Sequence, residues 1–178
     1  MQPTAILRQR GVSLIEAMMT LAVMAVTVGT VAPGMAEMQD RRRLEGATAQ
    51  LETELQYARS LAVERRETVR VSFSEQAGES CYVIHTGGNS DCRCGQGGTT
   101  VCEDGAQALR TAHFDGASRL QVTSNSDSIG FDAEKGTVTP TATIELRNPR
   151  DDRVRLVVNI LGRVRACTTT GVAGYRPC

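Results

Sequence analysis

The chain has 178 residues, no tryptophan, and 20 basic against 20 acidic side chains. This balance means that no overall electrostatic field attracts nucleic acid or an acidic substrate. With the N-terminal segment set aside, about 140 residues remain, the size of one globular domain with a single core.

The first long feature is an apolar run from Ala17 to Ala36, which contains twenty residues and no formal charge. At a rise of about 1.5 Å per residue, it is long enough to cross the roughly 30 Å hydrocarbon layer of a bilayer. The run predicts a membrane-spanning helix. Glu16 stands at its start, and a carboxylate in lipid costs a few kcal/mol unless a specific partner neutralises it.

A second helical pattern runs from Leu44 to about Arg66, where apolar residues recur every three or four positions. They share one face of an α-helix and are Leu44, Ala47, Leu51, Leu55, Ala58 and Ala62. With the apolar run they predict a nearly continuous helix from Val12 to about Arg66, loosened near Pro33-Gly34. Because a helix with one apolar stripe is marginal alone in water, we expect it to pack on the sheet that follows.

After Glu67 the apolar period changes to two residues, which predicts short strands separated by Gly, Asn, Asp or Pro. The predicted strands are Thr68–Ser74, Cys81–Thr86, Leu109–Phe114, Arg119–Ser124, Ser128–Phe131, Thr141–Arg147, Arg153–Ile160 and Arg163–Thr168. The segment Gly87–Gly105 has six glycines, three cysteines and no apolar rhythm, so we interpret it as a loop. Its Gly95-Gln96-Gly97-Gly98 lacks the context of a phosphate-binding motif. The expected fold class is α+β, with a long N-terminal helix packed on an antiparallel β-sheet domain.

Six cysteines follow the apolar run, an even number that predicts disulfides in an oxidising compartment. Cys167 and Cys178 enclose a glycine-containing tail and are the favoured pair. The other four lie in or beside the Gly87–Gly105 loop, and their pairing stays open; they are Cys81, Cys92, Cys94 and Cys102. The same four cysteines are an alternative zinc site, but their spacing fits no usual zinc knuckle, so no metal site is predicted.

Basic charge is concentrated near the C-terminus. From Arg147 to Cys178 there are seven arginines and two aspartates, a net charge of +5 that the rest of the chain balances with −5. Arg163 and Arg165 are two positions apart on a predicted strand, so both point to one face while Val164 points inward.

Arg153 and Arg155 repeat this spacing on the preceding strand, and a hairpin closed around Leu161-Gly162 would bring all four arginines together. Such a cluster binds phosphates without reading sequence. Gly162 suits a tight turn that lets a phosphate backbone approach. The chain has three Phe and three Tyr, too few for a base-stacking platform. The alternative is an ordinary strand with a solvated face, whose arginines pair with Asp151, Asp152 or Glu145.

Catalysis is not predicted. His85 and His113 lie on predicted strands without the cysteines or carboxylates of a triad or metal site, so we interpret both as surface strand residues. The sequence has no Gly-x-Ser-x-Gly elbow, zincin helix or Walker loop. The expectation is a protein that is not an enzyme and that needs no cofactor.

The N-terminus carries a resemblance to a known signal. A short basic leader that ends in Gly11, followed by Val-Ser-Leu-Ile-Glu and an apolar helix, resembles the class III signal of type IV prepilins and type II secretion pseudopilins. The resemblance implies cleavage after Gly11 by a prepilin peptidase and N-methylation of Val12, although Val12 replaces the usual Phe or Met. It also implies that Glu16, the fifth mature residue, pairs with the N-terminal amine of a neighbouring subunit during filament assembly.

Two alternatives remain open for the N-terminal segment. An ordinary secretory signal would use Arg8 and Arg10 as its basic region and would be cleaved after Ala36, releasing a soluble periplasmic domain. A plain single-pass anchor would have no role in a filament. Positive charges at Arg41–Arg43 favour the opposite orientation to a cytoplasmic leader. The prepilin signal nevertheless requires the leader in the cytoplasm, and that orientation is the one we expect.

The mature chain as a whole resembles the GspH/FimT group of minor pilins and pseudopilins, through the helix that leads into Thr-Val-Arg-Val-Ser-Phe, the many short strands, and Gly162-Arg163-Val164-Arg165 ahead of a terminal cysteine pair. The resemblance implies a type IV pilin-like fold. In pilus members linked to DNA uptake, a Gly-Arg-x-Arg motif binds DNA, and it maps onto Gly162, Arg163 and Arg165. Pseudopilin H, which caps the type II secretion pseudopilus, needs no such motif.

The expected organisation is a leader at 1–11, a membrane helix at 12–36, an amphipathic helix at 37–66 and a periplasmic β-domain at 67–178. The expected protein is a single-pass inner-membrane minor pilin that enters a pilus with other major and minor pilins and possesses a DNA-binding motif for natural transformation. Its expected partners are those pilins, the prepilin peptidase, the inner membrane and DNA. The alternatives are pseudopilin H and a soluble periplasmic binding domain.

Overall fold

The structure is a computed structural model that describes residues 13–76, 78–95, 98–103 and 105–178, apart from the side chains of 31–33 and 76. Helix α1 spans Leu14–Arg65. In the described part of the chain it is followed by strands β1 (Val69–Gln76), β2 (Glu79–Thr86), β3 (Cys92–Cys94), β4 (Thr100–Cys102), β5 (Ala108–Phe114), β6 (Gln121–Ser124), β7 (Ser128–Phe131), β8 (Val138–Thr139), β9 (Ala142–Arg147), β10 (Arg153–Val158), β11 (Val164–Thr168) and β12 (Arg176–Pro177).

The chain divides into two compact units, Met1–Gln39 and Asp40–Cys178. In the first unit, α1 is long and apolar enough to cross a membrane, and none of that apolar stretch is buried. Ser13 caps the helix: its Oγ accepts from Glu16 N–H over 3.3 Å, and its carbonyl oxygen accepts from Ala17 N–H over 3.2 Å. The predicted loosening near Pro33-Gly34 does not interrupt α1, which is one helix over Leu14–Arg65.

In the second unit, the predicted apolar stripe of α1 forms one side of the core. Its fully buried members are Leu44, Leu51, Leu55, Ala58 and Ala62, and Ala47 packs against them. Burial of each leucine contributes roughly 1.5–3 kcal/mol, so this stripe is what holds the helix to the strands. The prediction of an amphipathic helix packed on strands is confirmed.

Two five-stranded sheets cover this helix in the orders β5-β2-β1-β7-β8 and β12-β11-β10-β9-β6. Their registered pairs are antiparallel, except for the two-residue parallel pair β11–β12. Inward side chains of both sheets meet the α1 stripe, for example Ile84 and Phe131 from the first and Leu156 from the second. The fold is α+β, as expected.

The interpretation of Gly87–Gly105 as a loop is wrong for its centre. β3 and β4 form a small antiparallel hairpin that the Cys92–Cys102 disulfide bridges, and the Cys81–Cys94 disulfide fixes this hairpin to β2. The structure also joins Cys167 to Cys178, the favoured pair. All six sulfur atoms are used in disulfides, so the zinc alternative has no thiolate ligand.

The interpretation of His85 as a surface residue is wrong. Residues 81, 83 and 85 alternate onto one face of β2, and the Cys81–Cys94 disulfide holds the hairpin over that face. His85 is fully buried on this face; its Nδ1 donates to the Thr86 carbonyl oxygen over 3.0 Å, and its Nε2 lies 2.8 Å from Ser72 Oγ. His113 on β5 is partly covered, and its Nε2 is buried.

Asp40, the first residue of the second unit, is a buried carboxylate with 4% of its surface exposed. Arg119 Nε lies 3.1 Å from its Oδ1, and Arg150 Nε lies 3.4 Å from its Oδ2. Removing the partner of a buried charge lowers the stability of a protein by about 3–5 kcal/mol. The two guanidinium groups therefore offset the cost of burying the Asp40 carboxylate. They join the start of this part of α1 to two turns of the β-domain.

Candidate nucleic-acid interface

The Gly162-Arg163-Val164-Arg165 motif lies where β10 turns into β11. Asn159 N–H donates to the Arg163 carbonyl oxygen over 3.1 Å, and Gly162 N–H donates to the Asn159 carbonyl oxygen over 2.9 Å. Asn159 Oδ1 also accepts from Leu161 N–H over 3.1 Å and from Arg163 N–H over 2.9 Å. Gly162 closes this three-residue loop with φ +71°, a left-handed conformation that favours glycine. Asn159 and Gly162 therefore set the backbone that presents Arg163.

Gly162 is buried against the C-terminal half of α1. A Cβ atom at this position would lie 2.7 Å from the Gly136 carbonyl oxygen and 3.0 Å from Cδ and Nε of Arg59. Arg59 Nε donates to the same carbonyl oxygen over 3.1 Å. From the sequence, we expected this glycine to leave room for a phosphate backbone. In the structure, the space beside its α-carbon is filled by Gly136 and Arg59.

A second turn, from Asp132 to Thr137, supports this packing. Asp132 Oδ1 accepts from Lys135 N–H over 2.8 Å and from Glu134 N–H over 3.0 Å, and these hydrogen bonds hold the pKa of Asp132 below its usual range. Gly136 N–H donates to the Asp132 carbonyl oxygen over 3.0 Å, and the Lys135 side chain is exposed. The turn thus presents the carbonyl of Gly136 to Arg59 and brings Lys135 to the same end of the domain as the motif.

Arg153 and Arg155 on β10 are neutralised by carboxylates. Arg155 Nε donates to Glu145 Oε2 over 2.7 Å. Arg153 Nη2 donates to Asp151 over 2.7 Å, and its Nη1 lies 3.7 Å from Glu145 Oε1. The hydrogen bonds that Arg153 donates to Asp151 raise the pKa of Arg153, as expected for a guanidinium already engaged by a carboxylate. These two arginines therefore follow the alternative prediction, in which the arginines of an ordinary exposed strand face pair with nearby carboxylates.

Arg163 and Arg165 are both exposed, and neither guanidinium forms an ion pair or hydrogen bond with a residue in the described ranges. Val164 between them pairs with Val158 and packs against the core, as predicted. Cross-strand register places Arg165 opposite Val157 and Arg155 opposite Cys167, so Arg155 and Arg165 share the outer face of the sheet. The hairpin therefore brings the arginines to one region, but only the motif pair keeps unpaired charge.

Two features of the β10–β11 hairpin were not predicted from the sequence. The loop carries exposed apolar side chains, with 62% of Ile160 and 53% of Leu161 accessible. Arg176 lies on β12 directly beside β11, opposite Cys167. The favoured Cys167–Cys178 pair was the signal that placed this tail next to the motif strand.

The residues predicted for processing and assembly lie at the other end of the chain. Gly11 and Val12 lie outside the described residues. Glu16 is exposed in the first turn of α1, and within the described ranges its carboxylate has no partner. A negative side chain in the first turn is favourable for the helix itself.

Comparison with known proteins identifies the family. The family described as Type II transport protein GspH matches residues 47–162. Two crystal structures of the type IV minor pilin FimU from Pseudomonas aeruginosa, in space groups P21 and P65, are similar to the chain, with TM-scores of 0.51 and 0.50 and identities of 22% and 20%. They cover 70% and 68% of this chain and 88% and 90% of the FimU chains.

No curated protein sequence matches the chain. The family match covers more than half of the sequence, and the similarity to FimU shows the fold independently. The chain therefore belongs to the GspH/FimT family and has the type IV pilin-like fold.

Proposed function

We propose that this protein is a minor subunit of a type IV pilus that binds the backbone of DNA through Arg163 and Arg165. The observation that carries the proposal is the difference between two arginine pairs with the same spacing. Arg153 and Arg155 are held by Glu145 and Asp151, whereas the motif pair is exposed and unpaired. Unpaired guanidinium groups are the ones available to phosphate.

The spacing of the pair suits a nucleic-acid strand. Two residues along a β-strand advance about 6.6 Å. Arg163 and Arg165 are therefore close enough together to contact neighbouring phosphates of one DNA strand. With about two phosphates neutralised by this pair, binding is independent of sequence, weak for one subunit and dependent on salt.

Assembly follows from the N-terminal half. We infer cleavage after Gly11, methylation of Val12, and insertion of the apolar part of α1 in the inner membrane with the β-domain in the periplasm. Glu16 then pairs with the N-terminal amine of a neighbouring pilin as the subunit enters the filament. Under this proposal the protein is a structural and binding subunit and not an enzyme.

The second candidate is pseudopilin H of a type II secretion system. The observation that favours it is the family match itself, since the family is described as a type II transport protein. In that role the protein would bind other pseudopilins at the tip of the pseudopilus, and the motif arginines would have no nucleic-acid ligand.

The test is DNA binding by the full chain in nonionic detergent, measured by fluorescence anisotropy with a labelled duplex over a range of salt concentrations. Arg163→Gln with Arg165→Gln should weaken binding and flatten the slope of log K against log salt by about 2, since each lost phosphate contact contributes about 0.9. Arg42→Gln with Arg43→Gln is the matched control, because it removes the same charge from exposed positions on α1.

The two candidates give different results in this experiment. An equal loss in the control variant would show that binding follows net charge and not the motif. Unchanged affinity and slope in the Arg163/Arg165 variant would defeat the DNA assignment and leave the secretion role as the better explanation of the family match.

A further inference from the structure

A groove of about 510 Å³ lies on the outer face of the second sheet, at the edge formed by β11 and β12. Two arginines, Arg165 and Arg176, line it together with aliphatic side chains and the terminal disulfide. The remaining lining residues are Val157, Ala166, Cys167, Pro177 and Cys178. The groove begins at the second arginine of the motif and leads away from the hairpin loop.

Strand register explains why the two arginines share this groove. β12 runs parallel to β11 with Arg176 opposite Cys167, and neighbouring residues across a ladder point to the same face. Arg165 precedes Cys167 by two residues and so points to that face as well. Arg176 is exposed, and it has no ion pair or hydrogen-bonded side chain among the described residues.

The groove therefore continues the unpaired positive charge of the motif onto a third strand. On the opposite side of Cys167, Arg155 is held by Glu145 over 2.7 Å and offers no free charge. Free guanidinium groups thus follow a line from Arg163 through Arg165 to Arg176. This line predicts that a bound polyanion runs from the β10–β11 turn towards β12. The arginines of β10 and β11 alone would not indicate this direction.

We infer that Arg176 is a further phosphate ligand of the DNA site and that the backbone of the nucleic acid runs through the groove beside β12. This inference rests on the proposed function. Val157 lies opposite Arg165 on the outer face and lines the groove beside it. No aromatic residue is among those that line the groove, so it recognises a phosphodiester backbone with its sugars and not a free nucleobase.

The Cys167–Cys178 disulfide positions Arg176. β12 has only two residues in register with β11, and Cys178 N–H donates to the Thr168 carbonyl oxygen over 3.1 Å. Upstream, the tail is anchored by the buried side chain of Val172 and by Tyr175, which packs against the core. The disulfide is the covalent link that keeps the three residues after Tyr175 beside the motif strand.

The experiment uses the full chain in nonionic detergent and a labelled duplex of about 30 base pairs. Arg176→Gln should flatten the salt slope by about 1, the change expected when one phosphate contact is lost. Arg42→Gln is the control for a single lost charge and should leave the slope unchanged. A slope for Arg176→Gln equal to that of the wild-type chain would overturn the inference.

The outcome separates this inference from the proposed function. If the Arg163/Arg165 variant flattens the slope while Arg176→Gln does not, the motif binds DNA and the groove does not. If neither variant changes binding, the proposed function is wrong, and the inference is overturned with it.

A second variant tests the positioning role of the disulfide. Cys167→Ser with Cys178→Ser should give the same slope as Arg176→Gln, and adding Arg176→Gln to that background should change nothing further. Unaltered binding in the cysteine variant, with Arg176→Gln still effective in its background, would show that Arg176 reaches the phosphate without the disulfide.

Discussion

Two pairs of arginines with the same spacing, on β10 and at the start of β11, differ in whether carboxylates neutralise them. Glu145 lies directly opposite Arg155 in the β9–β10 ladder, and this register lets one carboxylate engage both Arg155 and Arg153. Arg163 and Arg165 lie one strand farther away, where no carboxylate faces them among the described residues. Availability for binding is therefore decided by cross-strand neighbours and not by the arginine pattern itself.

Replacement of Gly162 should destabilise the β-domain. Gly162→Ala should lower the free energy of unfolding by about 2–4 kcal/mol, because a left-handed alanine costs about 1 kcal/mol and the added Cβ meets the Gly136 carbonyl oxygen at 2.7 Å. Gly171→Ala is the matched control, since Gly171 has φ +78° and open space around it. The control should lose only about 1 kcal/mol.

Urea unfolding followed by circular dichroism measures both variants. Equal losses would mean that the contact with Gly136 carries no energy. A large loss limited to Gly162→Ala would also warn that reduced DNA binding by glycine variants of the motif reflects a damaged fold and not a lost phosphate contact.

The β3–β4 hairpin was not predicted from the sequence. Its strands have three residues each, too short for an alternating pattern, and glycines surround them. The hairpin is held in place by disulfides whose pairing the spacing left open. Because the histidines were judged on their strands alone, the burial of His85 was missed as well.

Loss of the Cys81–Cys94 disulfide should destabilise the protein more than loss of the Cys92–Cys102 disulfide. Their sequence separations are 13 and 10, so loss of either should cost about 3 kcal/mol through loop closure. Cys81→Ser with Cys94→Ser should cost at least about 1 kcal/mol more, because it also releases the hairpin from β2, where Val83 and His85 share the face of Cys81 and are fully buried. Cys92→Ser with Cys102→Ser keeps the hairpin attached to β2.

Urea unfolding gives the energies, and modification of His85 by diethylpyrocarbonate reports its exposure. His85 should react in the Cys81/Cys94 variant and stay protected in the Cys92/Cys102 variant. Equal energies together with a protected His85 in both would show that the hairpin stays on β2 without its disulfide.

The helix and the longer strands could be predicted because their patterns are local. The eight predicted strands are all present with ends within two residues of those expected, and the α1 stripe is buried as its spacing indicated. The other missed strands, β8 and β12, have two residues each. β12 contains Pro177, which argues against a strand in sequence and is tolerated at the edge of a sheet. Such pairing depends on distant partners, which one sequence does not reveal.

The residues of α1 differ in burial between the two units of the chain. The first part of α1 exposes apolar side chains, whereas its second part buries a stripe beneath the strands. Glu16 is the acidic residue in the first helical turn, and no residue of the described chain neutralises it. The proposed assembly assigns that role to another subunit.

Glu16→Ala should leave the amount of protein in the membrane unchanged and lower its incorporation into filaments at least about tenfold, since loss of one partner of a buried ion pair costs about 3–5 kcal/mol. Leu21→Ala, a truncation at an exposed apolar position of the same helix, is the control. Immunoblots of sheared filaments and of membranes measure both pools. Normal incorporation of the Glu16 variant would refute the proposed assembly contact.

The turn at Asp132–Thr137 provides one reactive amine on the β-domain. Lys135 is the one lysine in the sequence, and it is exposed beside Gly136, which contacts the turn that presents Arg163. An amine-reactive fluorophore would consequently attach to the β-domain at a single place, next to the motif. Quenching or shielding of that dye would then report where a bound polymer passes over the surface, without any engineered cysteine disturbing the disulfides.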